Sequence, residues 1–377
     1  MSDRDPSTER GRIRIVGFDE AVSDRFGDEA GAANSEATPE TVPPTSPEAI
    51  AEAESETETT GETVPAGRHR LEDAWRRFRR DRTAMVGLGI IVAMTVLAVF
   101  ARPIEVSTAE VTIRLQPFSL APYDPGETFV APANAPPSWA HPFGTDWAGR
   151  DQFSRVLVGG RYTLGIGLVA VVLALGVGVP LGAIAGYFGG WTDEVIMRVV
   201  DVLYAFPFLV LAIAIVPILE PLPVLGDGFW TVVTALVVTG WLGYARLLRG
   251  EVLSVREREY VTAARALGVP DRTIVRRHVV PNAITPVVVQ ATLNVGTVVL
   301  AAAALGFLGL GLEPGSTEWG AMLSQGRSSL VQGHWHVTVF PGLAIFLFVL
   351  AINLVGDGVN DALDPHRDAA DERRRMR

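Results

Sequence analysis

Long uncharged apolar blocks are the feature that most restricts the fold of this chain. The first, residues 84–101, would span about 27 Å as a helix, which is close to the hydrocarbon thickness of a bilayer. Five further blocks follow at 163–187, 202–219, 229–245, 283–312 and 337–355. We therefore predict an all-α membrane protein with six transmembrane helices.

The distribution of arginine predicts which side of the membrane each connection faces. All 32 basic residues are Arg, because the chain contains no Lys. Segment 246–282 has eight Arg against four acids, whereas segment 220–228 has two acids and no Arg. Cytoplasmic connections collect basic residues. We therefore expect segment 246–282 and both chain termini to be cytoplasmic, as an even number of spans requires.

The N-terminal 66 residues differ from the rest of the chain. Residues 1–66 hold 16 acids and 5 Arg, a net charge of −11, so the other residues sum to +1 within the whole-chain value of −10. This segment is rich in Glu, Thr and Ser and poor in aromatic residues, which predicts a disordered acidic tail. Residues 67–105 then predict a basic amphipathic segment leading into the first transmembrane helix.

Two absences in the composition exclude several kinds of site. Without Lys the chain can form no Walker A phosphate loop, and without Cys it can form no disulfide or thiolate metal site. His334 and His336 are two residues apart and do not share a helix face, so we expect no metal. The apolar blocks lack ionisable side chains between their ends, which disfavours a proton-coupled carrier but not a sodium site built from carbonyls.

Segment 254–282 has the pattern of two short helices joined at a glycine. Ser254 and Glu257 match a capping box, and Gly268 can take the positive φ that ends a helix. Pro270 suits the first turn of a second helix. An apolar stripe at helical spacing lies between, formed by Tyr260, Ala264 and Leu267. From periodicity alone this is either an interaction element or a structured loop with lipid-facing arginines.

The string TAARALG, followed nine residues later by HVVP, resembles the EAA loop of ABC-importer permeases. Thr262, His278 and Val280 stand where that pattern has Glu, Ile and Leu. In the family this helix–bend–helix docks on the ATP-hydrolysing subunit. The resemblance therefore implies an ATPase-coupling loop, with candidate residues Glu259, Tyr260, Ala263, Ala264, Arg265, Gly268 and Pro281.

Longer segments resemble the C-type dipeptide and oligopeptide permeases of the same family. They are, in the family's order, 74–92, 141–170, 186–213, 305–323 and 341–365. Ala302 departs from the pattern, because many members have Glu there. The resemblance implies the type I ABC importer permease fold. Its expected parts are an external loop at 106–162, an ABC transmembrane domain at 163–356 and a cytoplasmic tail at 357–377.

A second candidate site lies in the external loop. Its residues are Gly144, Asp146, Gly149, Arg150 and Asp151. One interpretation is an external gate or a docking surface for a solute-binding protein. The other is a structural turn in which Asp146 or Asp151 pairs with Arg150 or Arg155.

The resemblance implies a multi-pass permease subunit in the cell membrane that translocates peptides and is not an enzyme. ATP and Mg would be bound by partner ATPase subunits, with no cofactor on this chain. The expected partners are two ATP-binding subunits, a second homologous permease, an extracytoplasmic solute-binding protein and the lipid bilayer, but no nucleic acid. The same permease type for nickel complexes or another solute remains an alternative, as does a stand-alone ion-coupled carrier.

Overall fold

The computed structural model describes residues 67–363 apart from 104, 108–111, 115–117, 223–224, 226–227, 311 and 313–314. The predicted acidic tail and most of the predicted cytoplasmic tail therefore lie outside the described residues. The helices are α1 (Gly67–Phe78), α2 (Arg82–Phe100), α3 (Gln152–Phe188), α4 (Gly190–Tyr204), α5 (Phe208–Leu219), α6 (Gly228–Arg256), α7 (Glu259–Ala266), α8 (Asp271–Ile274), α9 (Val280–Ala283), α10 (Thr285–Phe307), α11 (Trp319–Val331) and α12 (His336–Leu363).

Helices dominate the described part of the chain, as the apolar blocks predict. Five of them, α2, α3, α6, α10 and α12, are long and apolar enough to cross a bilayer. One small β-hairpin joins them in the external segment after α2, where β1 (Glu105–Ser107) pairs antiparallel with β2 (Thr112–Arg114). Nothing in the apolar blocks indicated this hairpin, because it lies between them.

The remaining one of the six predicted spans, which is the third in chain order, is bent. α4 and α5 meet at an angle of 93° and cross the membrane only if the pair counts as one span. The predicted straight span 202–219 begins inside α4 and runs across this bend. Pro207 explains the break, since its ring excludes a continuous helix and it precedes α5 in an extended conformation with ψ 129°. α5 alone has 12 residues and covers only about 18 Å.

α3 begins eleven residues before the predicted start of its apolar block. Asp151 caps the helix at its N-terminus, where its side chain accepts a hydrogen bond from the Ser154 backbone N–H at 2.8 Å. The added turns contain Arg155 and Arg161, which the charge criterion assigned to a loop. Arg161 donates to backbone carbonyls at the end of α2, including that of Ala98 at 2.7 Å. The helix can carry these arginines because neighbouring elements supply acceptors.

α3 and α6 approach each other along a row of glycines on α3. An added Cβ would lie 2.6 Å from the Trp241 carbonyl oxygen at Gly178 and would collide with the Ala245 carbonyl at Gly182. At Gly186 the Cβ would lie 2.8 Å from Val252. The three glycines are four residues apart and therefore share one helix face. Their missing side chains let the two backbones pack closely, as small residues do between membrane helices.

We predict that Gly182→Ala destabilises the protein by about 1–3 kcal/mol, because the new methyl group overlaps the α6 backbone. The measurement is the thermal unfolding midpoint of the purified protein in detergent. Gly176→Ala is the matched control, because it lies on the same helix and its Cβ would meet no atom within 4 Å. Equal unfolding midpoints for the two variants would show that the close approach of α3 and α6 does not determine the stability of the protein.

Candidate functional site

The C-terminal end of α6 leads directly into the predicted coupling loop. α6 continues to Arg256, so Ser254 lies in its last turn and the predicted capping box with Glu257 is wrong. α7 begins instead after Arg258, whose side chain makes no capping hydrogen bond. The physical reason is that Ser254 is already part of the preceding helix, so it cannot be the non-helical residue that a capping box requires.

The predicted end of α7 at Gly268 is confirmed. Gly268 has a φ of +74°, and its N–H donates to the Arg265 carbonyl at 3.0 Å. The Val269 N–H donates to the Ala264 carbonyl at 3.1 Å. This pair of hydrogen bonds is a Schellman motif, which needs a left-handed residue at the Gly268 position. No atom lies within 4 Å of an added Cβ there, so the glycine is required by its backbone conformation and not by space.

The second half of the loop is a helix with a widened turn. Pro270 precedes α8, a π-helical turn follows at Val275–Val279, and α9 then leads into α10. Pro281 therefore lies inside this helical run, where it lacks an N–H to donate. The Asn282 side chain donates to the His278 carbonyl at 2.6 Å and so satisfies one acceptor near the proline.

α7 has a buried face and an exposed face. Val261 is fully buried and joins the core of the membrane domain, together with Ile274 of α8. Tyr260 and Leu267, which lie about 100° or more around the helix from Val261, are 40% and 83% exposed. The exposed face also includes Glu259, Ala263 and Arg265, while Ala264 is half-buried. An apolar patch flanked by arginine is thus open at the end of the loop.

Two contacts fasten this loop to the end of α3. The Tyr187 hydroxyl donates to Asp271 Oδ1 at 2.5 Å, and the Arg265 guanidinium lies 5.4 Å from the centroid of the Tyr187 ring. Arg256 Nη1 donates to the Gly186 carbonyl at 2.8 Å, which ties the end of α6 to the same turn of α3. These contacts connect the loop directly to the α3–α6 pair.

A second bridge joins α6 to α4. The Arg249 guanidinium makes a bidentate pair with Asp193 at 2.5 and 2.6 Å. Arg246 pairs with Asp201 at 2.6 Å and also lies 4.5 Å from the centroid of the Tyr204 ring. These pairs link the C-terminal part of α6 to α4, the first helix of the bent span.

The candidate residues of the predicted external loop lie in a cap, which we call the outer cap and define as residues 118–151 and 315–335. Gly144 and Gly149 have φ values of +72° and +71°, and an added Cβ at either would collide with a backbone carbonyl. Arg150 Nε donates to Asp146 Oδ2 at 2.7 Å, and the Asp146 carboxylate also accepts from the Ala148 N–H. Asp151 is fully buried against His141, with its Oδ1 2.9 Å from the His141 Nδ1.

These contacts are those of the structural turn, since both acids are paired inside the cap. The side chains of Asp146, Arg150 and Asp151 are buried and are not available on the cap surface. Whether a solute-binding protein docks on the surface above them stays a prediction.

Sequence reasoning named Arg155 only as a possible partner of Asp146 or Asp151, and its Nε does lie 3.7 Å from Asp146 Oδ2. It missed the contacts that connect this cap to the membrane helices. Arg155 is 1% exposed and donates to the Ser316 carbonyl at 3.0 Å and to Gln325 Oε1 at 2.9 Å. Glu318 is fully buried; it caps α11 by accepting from the Ala321 N–H at 2.7 Å and accepts from the Thr163 hydroxyl at 3.1 Å. The contacts span more than 150 residues of sequence, so no local pattern indicates them.

The Glu318 carboxyl is the buried acid of the cap. Burial raises the pKa of Glu318 above its ordinary value, although its hydrogen bonds from Ala321, Gly320 and Thr163 act in the opposite direction. Among the residues that the structure describes, no group of three or more His, Asp or Glu is placed to hold a metal ion.

Comparisons with known proteins agree on one family. Residues 178–368 match the family described as binding-protein-dependent transport system inner membrane component, and residues 70–137 match the N-terminal TM domain of oligopeptide transport permease C. The chain belongs to this permease family. It is 44% identical over 292 residues to the glutathione transport system permease protein GsiD of Escherichia coli O6:K15:H31 and of Shigella boydii serotype 4, covering 77% of this chain and 89% of each relative.

Solved structures give more distant likenesses. An inward-facing MetNI methionine ABC transporter chain has a TM-score of 0.45 at 20% identity, covering 54% of this chain and 93% of that chain. An amino acid ABC transporter crystallised with histidines has a TM-score of 0.39 at 16% identity, covering 52% and 87%. The assignment to the family rests on the sequence matches.

Membership of this family assigns a general function to the chain. It is a multi-pass membrane subunit of an ABC importer with the type I permease fold, and it is a transport component, not an enzyme. It works with ATP-binding and substrate-binding components. The resemblance drawn from the TAARALG string and the longer segments is therefore confirmed at the level of the peptide-type permease family.

We predict that Glu318 makes the permease less stable as pH rises. Because the folded-state pKa is raised, the folded protein keeps a proton that the unfolded chain loses above about pH 4.3, so stability falls between that pH and the folded-state pKa. Glu318→Gln removes this loss, so its thermal midpoint should rise relative to that of the wild type as the pH increases above about 4.3.

Glu194→Gln is the control for this experiment, because that carboxylate is exposed on α4. Its midpoint should follow the wild type across the same pH range. If the difference between Glu318→Gln and the wild type were constant with pH, the carboxyl of Glu318 would not be the protonated group.

Proposed function

We propose that this chain is one of two homologous permease subunits in an importer that carries peptides into the cell. Two ATP-binding subunits would bind ATP and Mg and do the hydrolysis, and an extracytoplasmic solute-binding protein would deliver the cargo. The chain itself would bind no cofactor. The match to the oligopeptide permease C segment and the glutathione permeases among the relatives support a peptide as the cargo.

The observation that carries the coupling role is the exposed face of α7. Leu267 and Tyr260 project from a helix whose other face is anchored in the core by Val261. An exposed apolar patch at the end of a rigid element is typical of a protein contact. Docking of an ATP-binding subunit on this patch would cover it, and the arginines beside it would meet acidic groups of the partner.

The fastening contacts explain how such docking would drive transport. When the ATP-binding subunits close, they would push α7, and the Tyr187–Asp271 and Arg256–Gly186 contacts would pass this displacement to α3 and α6. ATP-bound and ATP-free partners would thereby favour different arrangements of the spans, which is alternating access by differential contacts. Hydrolysis would reset the arrangement.

The alternatives differ in what they require of this chain. A permease for nickel complexes or oligosaccharides would use the same coupling loop, so cargo is decided by uptake assays and not by α7. A stand-alone carrier would leave the exposed face of α7 without a role, and its spans offer no ionisable relay between their ends.

We predict that Gly268→Val abolishes uptake and the stimulation of ATPase activity while the protein still inserts into the membrane. A β-branched residue cannot adopt the φ of +74° at the Schellman turn without strain, so α7 would be misdirected relative to its partner. Uptake of radiolabelled trialanine and ATP hydrolysis are measured in proteoliposomes that contain the assembled importer.

Gly250→Val is the matched control. Gly250 also has no atom within 4 Å of an added Cβ, but it lies in helical conformation within α6. This variant should keep uptake close to that of the wild type. Normal uptake by Gly268→Val would refute the coupling role of α7, and uptake by the purified subunit without any ATPase would refute the importer assignment.

A further inference from the structure

The exposed face of α10 carries polar side chains at the depth of the membrane core. Gln290 and Thr297 are exposed and Asn294 is half-buried. At about 100° per residue the three side chains fall within about 60° of one another on the helix. They lie in the middle portion of Thr285–Phe307, a span long enough to cross the bilayer. Amide and hydroxyl groups are unfavourable against lipid, so this face must meet water or a polar partner.

The neighbouring helices leave this face open. On one side Asn294 Nδ2 donates to the Tyr244 hydroxyl of α6 at 3.2 Å. On the other side α12 packs so closely that an added Cβ at Gly296 would lie 2.8 Å from Ile352. Gln290 and Thr297 lie between these two contacts. We refer to this exposed strip of α10, between its contacts with α6 and with α12, as the groove.

The groove presents unused hydrogen-bonding groups but no formal charge. Gln290 Nε2 donates to Asn294 Oδ1 at 2.9 Å, while Gln290 Oε1 accepts no hydrogen bond from the residues that the structure describes. Asn353 of α12 adds a further neutral amide near Gly296, where its Oδ1 would lie 3.8 Å from an added Cβ. Paired amide donors and acceptors match the N–H and C=O groups of a peptide main chain.

We propose that Gln290, Asn294 and Thr297 line the translocation path and hydrogen-bond the main-chain amides of a passing peptide. This inference rests on the proposed function as a peptide importer. The neutral side chains of Gln290, Asn294 and Thr297, which we call the stripe, would bind groups that all peptides share. They would not select for the charge of the peptide side chains. Because α10 follows directly after α9, movement of the coupling run at 271–283 would also move the stripe.

The absence of Cys makes a direct test of water access possible. Gln290→Cys and Thr297→Cys are each assembled with the partner subunits in proteoliposomes and treated with a membrane-impermeant cationic methanethiosulfonate, and labelling of this chain is followed by mass spectrometry. Thiolates form in water and not in lipid, so both should react about tenfold or more faster than a lipid-facing thiol. Trialanine delivered with the solute-binding protein should slow both reactions.

Val172→Cys is the matched control for depth. Val172 is 56% exposed on α3, between Gly167, which packs on Val299 of α10, and Gly178, which packs on Tyr244. Equal, slow labelling at 172, 290 and 297 would overturn the proposal. The proposal would also be overturned if positions 290 and 297 were labelled slowly and were crosslinked to the second permease. That result would assign the stripe to the subunit interface.

Uptake separates hydrogen bonding from a packing role. Thr297→Val keeps the shape of the side chain but removes the hydroxyl, so the KM for trialanine should rise about three- to tenfold, whereas Thr297→Ser should resemble the wild type. Gln290→Glu should raise uptake of trilysine relative to trialanine, because it adds a charge to the path. An unchanged peptide preference in Gln290→Glu, with rapid labelling unaffected by trialanine, would overturn the cargo contact.

The wild-type importer distinguishes this inference from the proposed function. If the wild type takes up trialanine and the stripe variants do so equally well, only the assignment of the stripe fails. If the wild type hydrolyses ATP but carries neither peptide, the peptide cargo itself is wrong, and the stripe loses the ligand proposed for it.

Discussion

The close approach of α3 and α6 is the constraint on which the rest of the membrane domain depends. Three glycines four residues apart let the backbones meet, and the helices that contact them are long enough to extend beyond the bilayer. α3 reaches the outer cap through Asp151 and Arg155 and reaches the coupling loop through Tyr187. One rigid pair of helices thus connects the two faces of the membrane, so a displacement at one end has a mechanical route to the other.

Sequence reasoning predicted the features that depend on local chemistry. Uncharged length predicted six spans, of which five are single helices, and the need of a glycine for positive φ predicted the stop at Gly268. It failed where a neighbour decides the outcome. Ser254 could be a helix cap only if α6 ended before it, and α6 continues because it is supported by packing that no local pattern contains. The bend of 93° at Pro207 was not predicted, because residues 202–219 were assigned to one span that contains this proline.

The candidate sites show the same division. The residues of α7 are contiguous, so a motif could find them, but the helical spacing of Tyr260, Ala264 and Leu267 did not show that Tyr260 and Leu267 are exposed. The outer cap is built from pairs such as Arg155 with Gln325 and Glu318 with Thr163, which are far apart in sequence. Charge counting placed Arg155 in a loop because it cannot recognise an arginine whose acceptors come from elsewhere in the fold.

Charged and neutral polar residues occupy different parts of the protein: charged pairs lie toward the two ends of the membrane helices, and neutral groups lie on α10 between them. Charged pairs concentrate in the outer cap and at the cytoplasmic ends of α4 and α6, where fixed geometry is needed and buried or bidentate pairs hold it. The groove on α10 carries amides and a hydroxyl instead. A buried charge there would bind an oppositely charged cargo tightly and retain it. Under the proposed function, neutral hydrogen-bonding groups would instead give weak contacts that a moving peptide could exchange one by one. Rigid ionic ends and a neutral middle are therefore complementary requirements of a subunit that must transmit force without holding its cargo.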